Sequence, residues 1–83
     1  REIDLVMRDG ETIVFVEVKA RSKTNYGTPG EFVTRAKQHQ LTLAAQAYLL
    51  QENRTDCPAR FDVVEVYLTC GEIQHFSNAF FAC

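Results

Sequence analysis

Arg8-Asp-Gly-Glu-Thr-Ile-Val-Phe-Val-Glu17-Val-Lys19-Ala-Arg21 is the stretch whose reading decides the fold. Asp9-Gly10 is a hairpin signal, because both central residues of a type I′ turn need positive φ and this pair tolerates it. β-branched and aromatic residues flank it over 2–8 and 12–20, so two antiparallel strands are predicted. Ile13-Val14-Phe15-Val16 is apolar on both faces, the pattern of a strand covered from both sides and central in its sheet.

From Ser22 to Gly30 the composition turns to Ser, Thr, Asn, Gly and Pro, which reads as a loop. Thr34 then caps a helix whose apolar positions Leu41, Ala44, Ala45 and Tyr48 repeat at helical spacing, running to about Gln51. Asn53 to Pro58 is a turn, Phe61 to Leu68 a third strand, and Glu72 to Phe76 a short fourth one. A helical crossover between the second and third strands makes those two parallel.

The chain has 83 residues, enough for a single domain over 1–83. It opens at Arg1 and enters an apolar run at once, so a domain short of its front end is expected. At 46% apolar and 24% charged residues, disorder, collagen and coiled coil are disfavoured. Cys57, Cys70 and Cys83 form no CxxC pair and have no His at zinc-ligand spacing, so a disulfide framework or zinc site is not expected. No apolar run approaches a membrane span and no leader pattern is visible, which makes the cytoplasm the default compartment.

The net charge of −2 argues against a nucleic-acid partner until its distribution is considered. Between Lys19 and His39 stand Lys19, Arg21, Lys23, Arg35 and Lys37 against Glu31 alone, so one segment is cationic on an otherwise acidic chain. Walker A, GxGxxG, GxSxG and HExxH motifs are absent, leaving charged residues in apolar settings as the lead. Glu17 and Lys19, two apart on the central strand, leave on the same face. Counting out from the turn places Asp4 near residues 15–17, roughly opposite Glu17. Two carboxylates so placed cannot both ionise freely without a cation between them, and oxygen ligands suit Mg²⁺ or Mn²⁺. The alternative is a salt bridge from Lys19 to Asp4 or Glu17.

Around this centre, Lys37 and Gln38 lie in line with the apolar stripe of the helix and are expected to point along the sheet towards the carboxylates. With Thr34, Arg35 and the positive helix end they would make a phosphate-binding surface; an ordinary exposed first turn is the competing reading. Arg21, Lys23 and Tyr26 could contact a phosphate backbone or stack on a base, with loop packing the alternative for Tyr26. Odd spacing sends Asp62 and Glu65 to opposite faces, so Asp62 is assigned a structural bond to Arg60 or a loop amide. His39 and His75 have no acid at ligand spacing and read as surface or packing residues. Phe76, Phe80 and Phe81 read as core cover, with a dimer surface or a seat for a missing helix as alternatives.

Glu2-Ile-Asp4-Leu-Val, the hairpin from Arg8 to Arg21, Tyr26-Gly-Thr-Pro, Val33-Thr34, Lys37-Gln38, Ala44-Ala-Gln-Ala-Tyr48-Leu, Arg60-Phe-Asp62-Val-Val and Ile73-x-His75-x-x-Asn78-Ala-Phe80 together resemble the YraN-type family of bacterial proteins. That family is similar to archaeal Holliday-junction resolvases of the PD-(D/E)xK superfamily. The resemblance implies an α/β restriction-endonuclease-like mixed sheet and a metal-dependent nuclease acting on DNA. Asp4, Glu17 and the Val18 carbonyl would hold Mg²⁺ or Mn²⁺, with Asp4, Glu17 and Lys19 as the catalytic set. A nucleic-acid-binding or assembly module that keeps the fold without catalysis is the alternative. Family members carry an N-terminal helix whose Glu often completes the metal site. Here that helix is missing, Arg1 stands where Gly is usual, and Glu2 is the nearby substitute. Junction-cutting chemistry usually needs two sites and two-fold dimers are the commonest assembly, so a homodimer is one possible assembly.

Overall fold

In a computed structural model of the chain, which describes residues 3–22 and 33–83, the hairpin is formed by β1 (Leu5–Asp9) and β2 (Thr12–Arg21). Asp9 pairs with Thr12, so Gly10 and Glu11 make the turn, and of these two Gly10 alone has positive φ, at 62°. That is the pattern of a type II′ turn, which takes Gly first, rather than of the type I′ turn predicted on Asp9-Gly10. Either primed turn matches the twist of the strands, so the hairpin itself stands.

Thr34 is in extended conformation and its Oγ1 accepts the Lys37 N–H at 3.1 Å, which starts α1 (Arg35–Gln51) where the cap predicts. At the other end Asn53 adopts φ 58° and the Arg54 N–H returns to the Leu49 carbonyl at 2.8 Å. Asn accepts this left-handed conformation at low cost, so the helix stops there. The chain comes back as β3 (Ala59–Tyr67), parallel to β2, and turns into β4 (Glu72–Phe80), antiparallel to β3. Sheet order is β1-β2-β3-β4. This is an α/β fold, a mixed sheet crossed by α1, and it agrees with a restriction-endonuclease-like core.

β4 continues four residues past the predicted end at Phe76. Its pairing slips, with Val63 opposite Phe76 but Phe61 opposite Phe80, and Asn78 within the slip has φ 56°. A bulge of this kind breaks the period-2 alternation that marks a strand in sequence. The third strand also begins and ends slightly earlier than the predicted 61–68.

α1 lies on one face of the sheet, where Leu41 and Ala45 join Ile13, Phe15, Phe61, Val63 and Phe80 in the core. Phe15 meets Tyr48 edge-on at 5.8 Å, and Phe61 stacks on Phe80 at 4.7 Å. Phe76 and Phe80 thus serve as core cover, whereas Phe81 stays 78% exposed and takes no part in it. On the opposite face Val14 and Val16 are buried, yet Leu5, Met7, Val18 and Ile73 beside them are exposed. The burial expected on both faces of β2 from Ile13 to Val16 is thus met, with α1 packed on one of them.

That second face carries a buried carboxylate. Asp62, 1% exposed, accepts the Arg60 Nε–H at 3.0 Å and the Asn78 N–H at 2.9 Å, the latter offered by the bulge. His75 Nε2 lies 2.7 Å from its other oxygen, so His75 has the acid partner that its sequence neighbourhood did not suggest. Arg60 also bonds Asp9 at 3.0 Å and so ties β3 to the end of β1. Burial opposes ionisation of Asp62, but the Arg60 guanidinium, the Asn78 amide and His75 outweigh it and hold its carboxyl below the ordinary carboxylate range.

Asp62→Asn is expected to lower thermal stability by ~1–3 kcal/mol, at roughly 4–8 °C per kcal/mol for a domain of this size. A depressed carboxyl contributes fully above its unfolded value, near ~4, and its contribution disappears as pH falls through the lower folded value. Melting curves taken from neutral to acid pH should therefore converge for wild type and Asp62→Asn. Curves that stay parallel would show that the ionised carboxylate contributes nothing.

Candidate metal centre

The β1–β2 register, carried one step past Leu5 opposite Val16, brings Asp4 level with Glu17. Asp4 Oδ2 accepts the Val18 N–H at 2.9 Å, which ties this exposed carboxylate to the neighbouring strand. Glu17 follows Ile13 and Phe15 on the α1 side of β2 and is 7% exposed, with Lys19 and Arg21 next on the same face. Lys37, from the first turn of α1, reaches Glu17 Oε2 with its Nζ at 3.7 Å.

Burial raises the Glu17 carboxyl above its ordinary value, and the negative charge of Asp4 raises it further. Lys37 and then Lys19 pull the other way without cancelling the rise, and a side-chain hydrogen bond with Asp4 adds to it. The two ammoniums thus do not offset burial and the neighbouring carboxylate. Its donors are carboxylate oxygens, the chemistry that suits a hard divalent cation, and Mg²⁺ is commonly held by one or two carboxylates with water completing its shell. No third His, Cys, Asp or Glu joins them among the described residues.

The surrounding candidates fall into three groups. Lys19 is half-buried beside Glu17, and Val18 meets Asp4 through its N–H. At the helix start the Thr34 hydroxyl is engaged in the cap, the Gln38 side-chain amide donates to the Val33 carbonyl at 3.1 Å, and Arg35 is exposed. Glu2, Lys23 and Tyr26 lie outside the described residues.

Arg21 is turned inward. Its Nε and Nη2 donate to Glu65 Oε2 at 3.1 and 2.9 Å, while the Tyr67 hydroxyl donates to Glu65 Oε1. Glu65 is 1% exposed and stands directly across from Lys19 in the parallel register. Sequence reasoning missed Glu65 and Tyr67 as neighbours of the site. The signal was present in their shared parity on β3, but it needed the β2–β3 register to give it meaning.

A raised carboxyl costs stability when ionised, so the contribution of Glu17 grows as pH falls through its folded value towards the ordinary one and shrinks as pH rises. Asp4→Asn keeps an oxygen for the Val18 N–H but removes the opposing charge. We expect it to bring the Glu17 titration down towards the ordinary range and to raise the melting temperature near neutral pH. Carboxyl-carbon NMR titration checks the first and calorimetry the second; an unmoved Glu17 would mean the two carboxyls do not interact.

The model of "Uncharacterised protein family UPF0102" matches residues 1–66. A UPF0102 protein of Geobacter metallireducens is 47% identical over 81 residues, covering 95% of this chain and 66% of that protein. One of Geobacter sulfurreducens is 45% identical over 82 residues, covering 95% and 64%. One of Symbiobacterium thermophilum is 51% identical over 87 residues, covering 98% and 71%. The chain therefore spans about two thirds of the length of these relatives. With most of its residues inside the family model and relatives this similar across nearly its whole extent, the chain belongs to UPF0102, the YraN-type family.

Proposed function

We propose that this chain is the core of a metal-dependent, nuclease-like protein that binds DNA, branched DNA included, and hydrolyses its phosphodiester bonds. The observation that carries the reading is the bond that holds Asp4 against β2 at Val18, next to the buried Glu17, with Lys37 from the start of α1 on Glu17 and Lys19 on its face. Asp4 and Glu17 would hold Mg²⁺ or Mn²⁺, with the Val18 carbonyl as a further ligand. Such an ion, when bound, lowers the pKa of a water and offsets charge on the phosphodiester.

The protein's own groups do the rest. Lys19 attracts the phosphate and stabilises the charge that develops as water adds and one P–O ester bond breaks. The first turn of α1, with Arg35 exposed, presents the positive end of the helix to the nucleic-acid backbone. Two equivalent strands at a junction match the symmetry of a two-fold pair of chains.

One observation favours a second reading, a DNA-binding or assembly module without catalysis: Lys37 already supplies Glu17 with a positive charge from within the protein. The test incubates supercoiled, single-stranded and four-way-junction DNA with Mn²⁺ and wild type, Asp4→Asn or Glu17→Gln. Cleavage by wild type, lowered at least ~100-fold in both variants, is expected from the loss of a metal ligand. Cleavage that persists in both variants sinks the enzyme reading, and EDTA-insensitive binding without cleavage establishes the second. Absence of binding even at low salt rejects both, since phosphate contacts strengthen steeply as salt falls.

A further inference from the structure

Of the buried carboxylates among the described residues, Glu17 has the loosest compensation. Lys37 approaches it at 3.7 Å and keeps a side chain 39% exposed, whereas Arg21 meets Glu65 at 2.9 Å. The Lys37 contact is long and half-solvated, made by a compact charge on a flexible four-carbon stem. Asp4 repels the same carboxylate, and Lys19 attracts it.

Lys37 also belongs to the first turn of α1, where its N–H donates to Thr34 Oγ1. Anions are favoured at that end of a helix, because the backbone dipoles sum to a positive partial charge there. One flexible ammonium therefore has two anionic destinations: the Glu17 carboxylate, and a phosphate lying against the helix start.

Building on the metal-centre reading above, we propose that Lys37 is an exchangeable counter-ion, paired with Glu17 in the cation-free protein and displaced onto nucleic-acid phosphate when a divalent cation binds. A doubly charged ion between Asp4 and Glu17 offsets both carboxylates and repels the ammonium, which removes the reason for Lys37 to stay. The displacement needs rotation about side-chain bonds and no movement of β2 or α1. It links the two ligands: each raises the affinity of the other, because each favours the same position of Lys37.

The experiment measures Mn²⁺ binding to the full chain by calorimetry without DNA, for wild type, Lys37→Gln and Lys37→Arg, with circular dichroism to confirm folding. Lys37→Gln has no cation to displace, and is expected to bind Mn²⁺ about 5- to 10-fold more tightly, at the low end of couplings between sites. Lys37→Arg, which keeps the charge, should stay near wild type. A second arm needs no metal. In EDTA, Glu17→Gln frees Lys37, and the slope of log affinity for duplex DNA against log salt should steepen by ~0.9, one phosphate contact. Adding Lys37→Gln to Glu17→Gln should return the slope to that of wild type.

Equal Mn²⁺ affinity in wild type and Lys37→Gln overturns the exchange and leaves the nuclease reading standing, as does an unchanged slope in Glu17→Gln. Absence of DNA binding in every variant rejects the nuclease reading and the transfer of Lys37 to phosphate with it, while the Mn²⁺ arm still decides whether a cation competes with Lys37 for Glu17. Absence of Mn²⁺ binding in wild type and Lys37→Gln alike rejects both.

Discussion

Gly10 sets the β1–β2 register, and with it the residue that stands opposite Glu17. Side chains alternate along a strand, so a slip of one residue would bring Ile3 or Leu5 level with Glu17 and turn Asp4 to the other face of the sheet. The turn has two residues because its first can take positive φ without a steric penalty. The Asp4 bond to the Val18 N–H then pins the register at the far end of β1. The whole charge arrangement around Glu17 follows from that alignment, including its raised carboxyl and the approach of Lys37.

Among the described residues the fold buries three carboxylates, and it treats them differently. Asp62 is met by a guanidinium, a backbone amide and an imidazole, and its carboxyl is driven down. Glu65 is held by Arg21 and the Tyr67 hydroxyl. Glu17 has a negative neighbour and a loose ammonium, and its carboxyl is driven up. Structural carboxylates are those whose charge the protein completes. A buried carboxylate whose ionisation the protein opposes is the kind of perturbed group that concentrates at functional sites.

Much of this was legible in the sequence because its determinants are local. Asp9-Gly10 announces the hairpin, Thr34 the helix start, and a count out from the turn brings Asp4 near residues 15–17, whereas the level with Glu17 is fixed by the turn falling on Gly10-Glu11. What escaped depends on registers between distant segments. Arg21 meets Glu65 across 44 residues and His75 meets Asp62 across the slipped β3–β4 ladder, and neither alignment is written in the residues nearby. The cationic run from Lys19 to His39 shows the same limit from another side. Composition reveals its charge but not where the charge goes, and Arg21 and Lys37 are turned to carboxylates within the protein rather than outward.

The bulge at Asn78 bears on how the sheet ends. β4 is an edge strand, and a straight edge offers a row of unpaired amides and carbonyls on which another chain can build. At Asn78 the backbone leaves the ladder, and its N–H is spent on Asp62 inside the sheet. A twisted, interrupted border is a poor template for strand addition. The residue that satisfies a buried acid thus also helps to close one side of the sheet against growth, and β1, five residues long and finished by Arg8 and Asp9, is the straighter edge that remains.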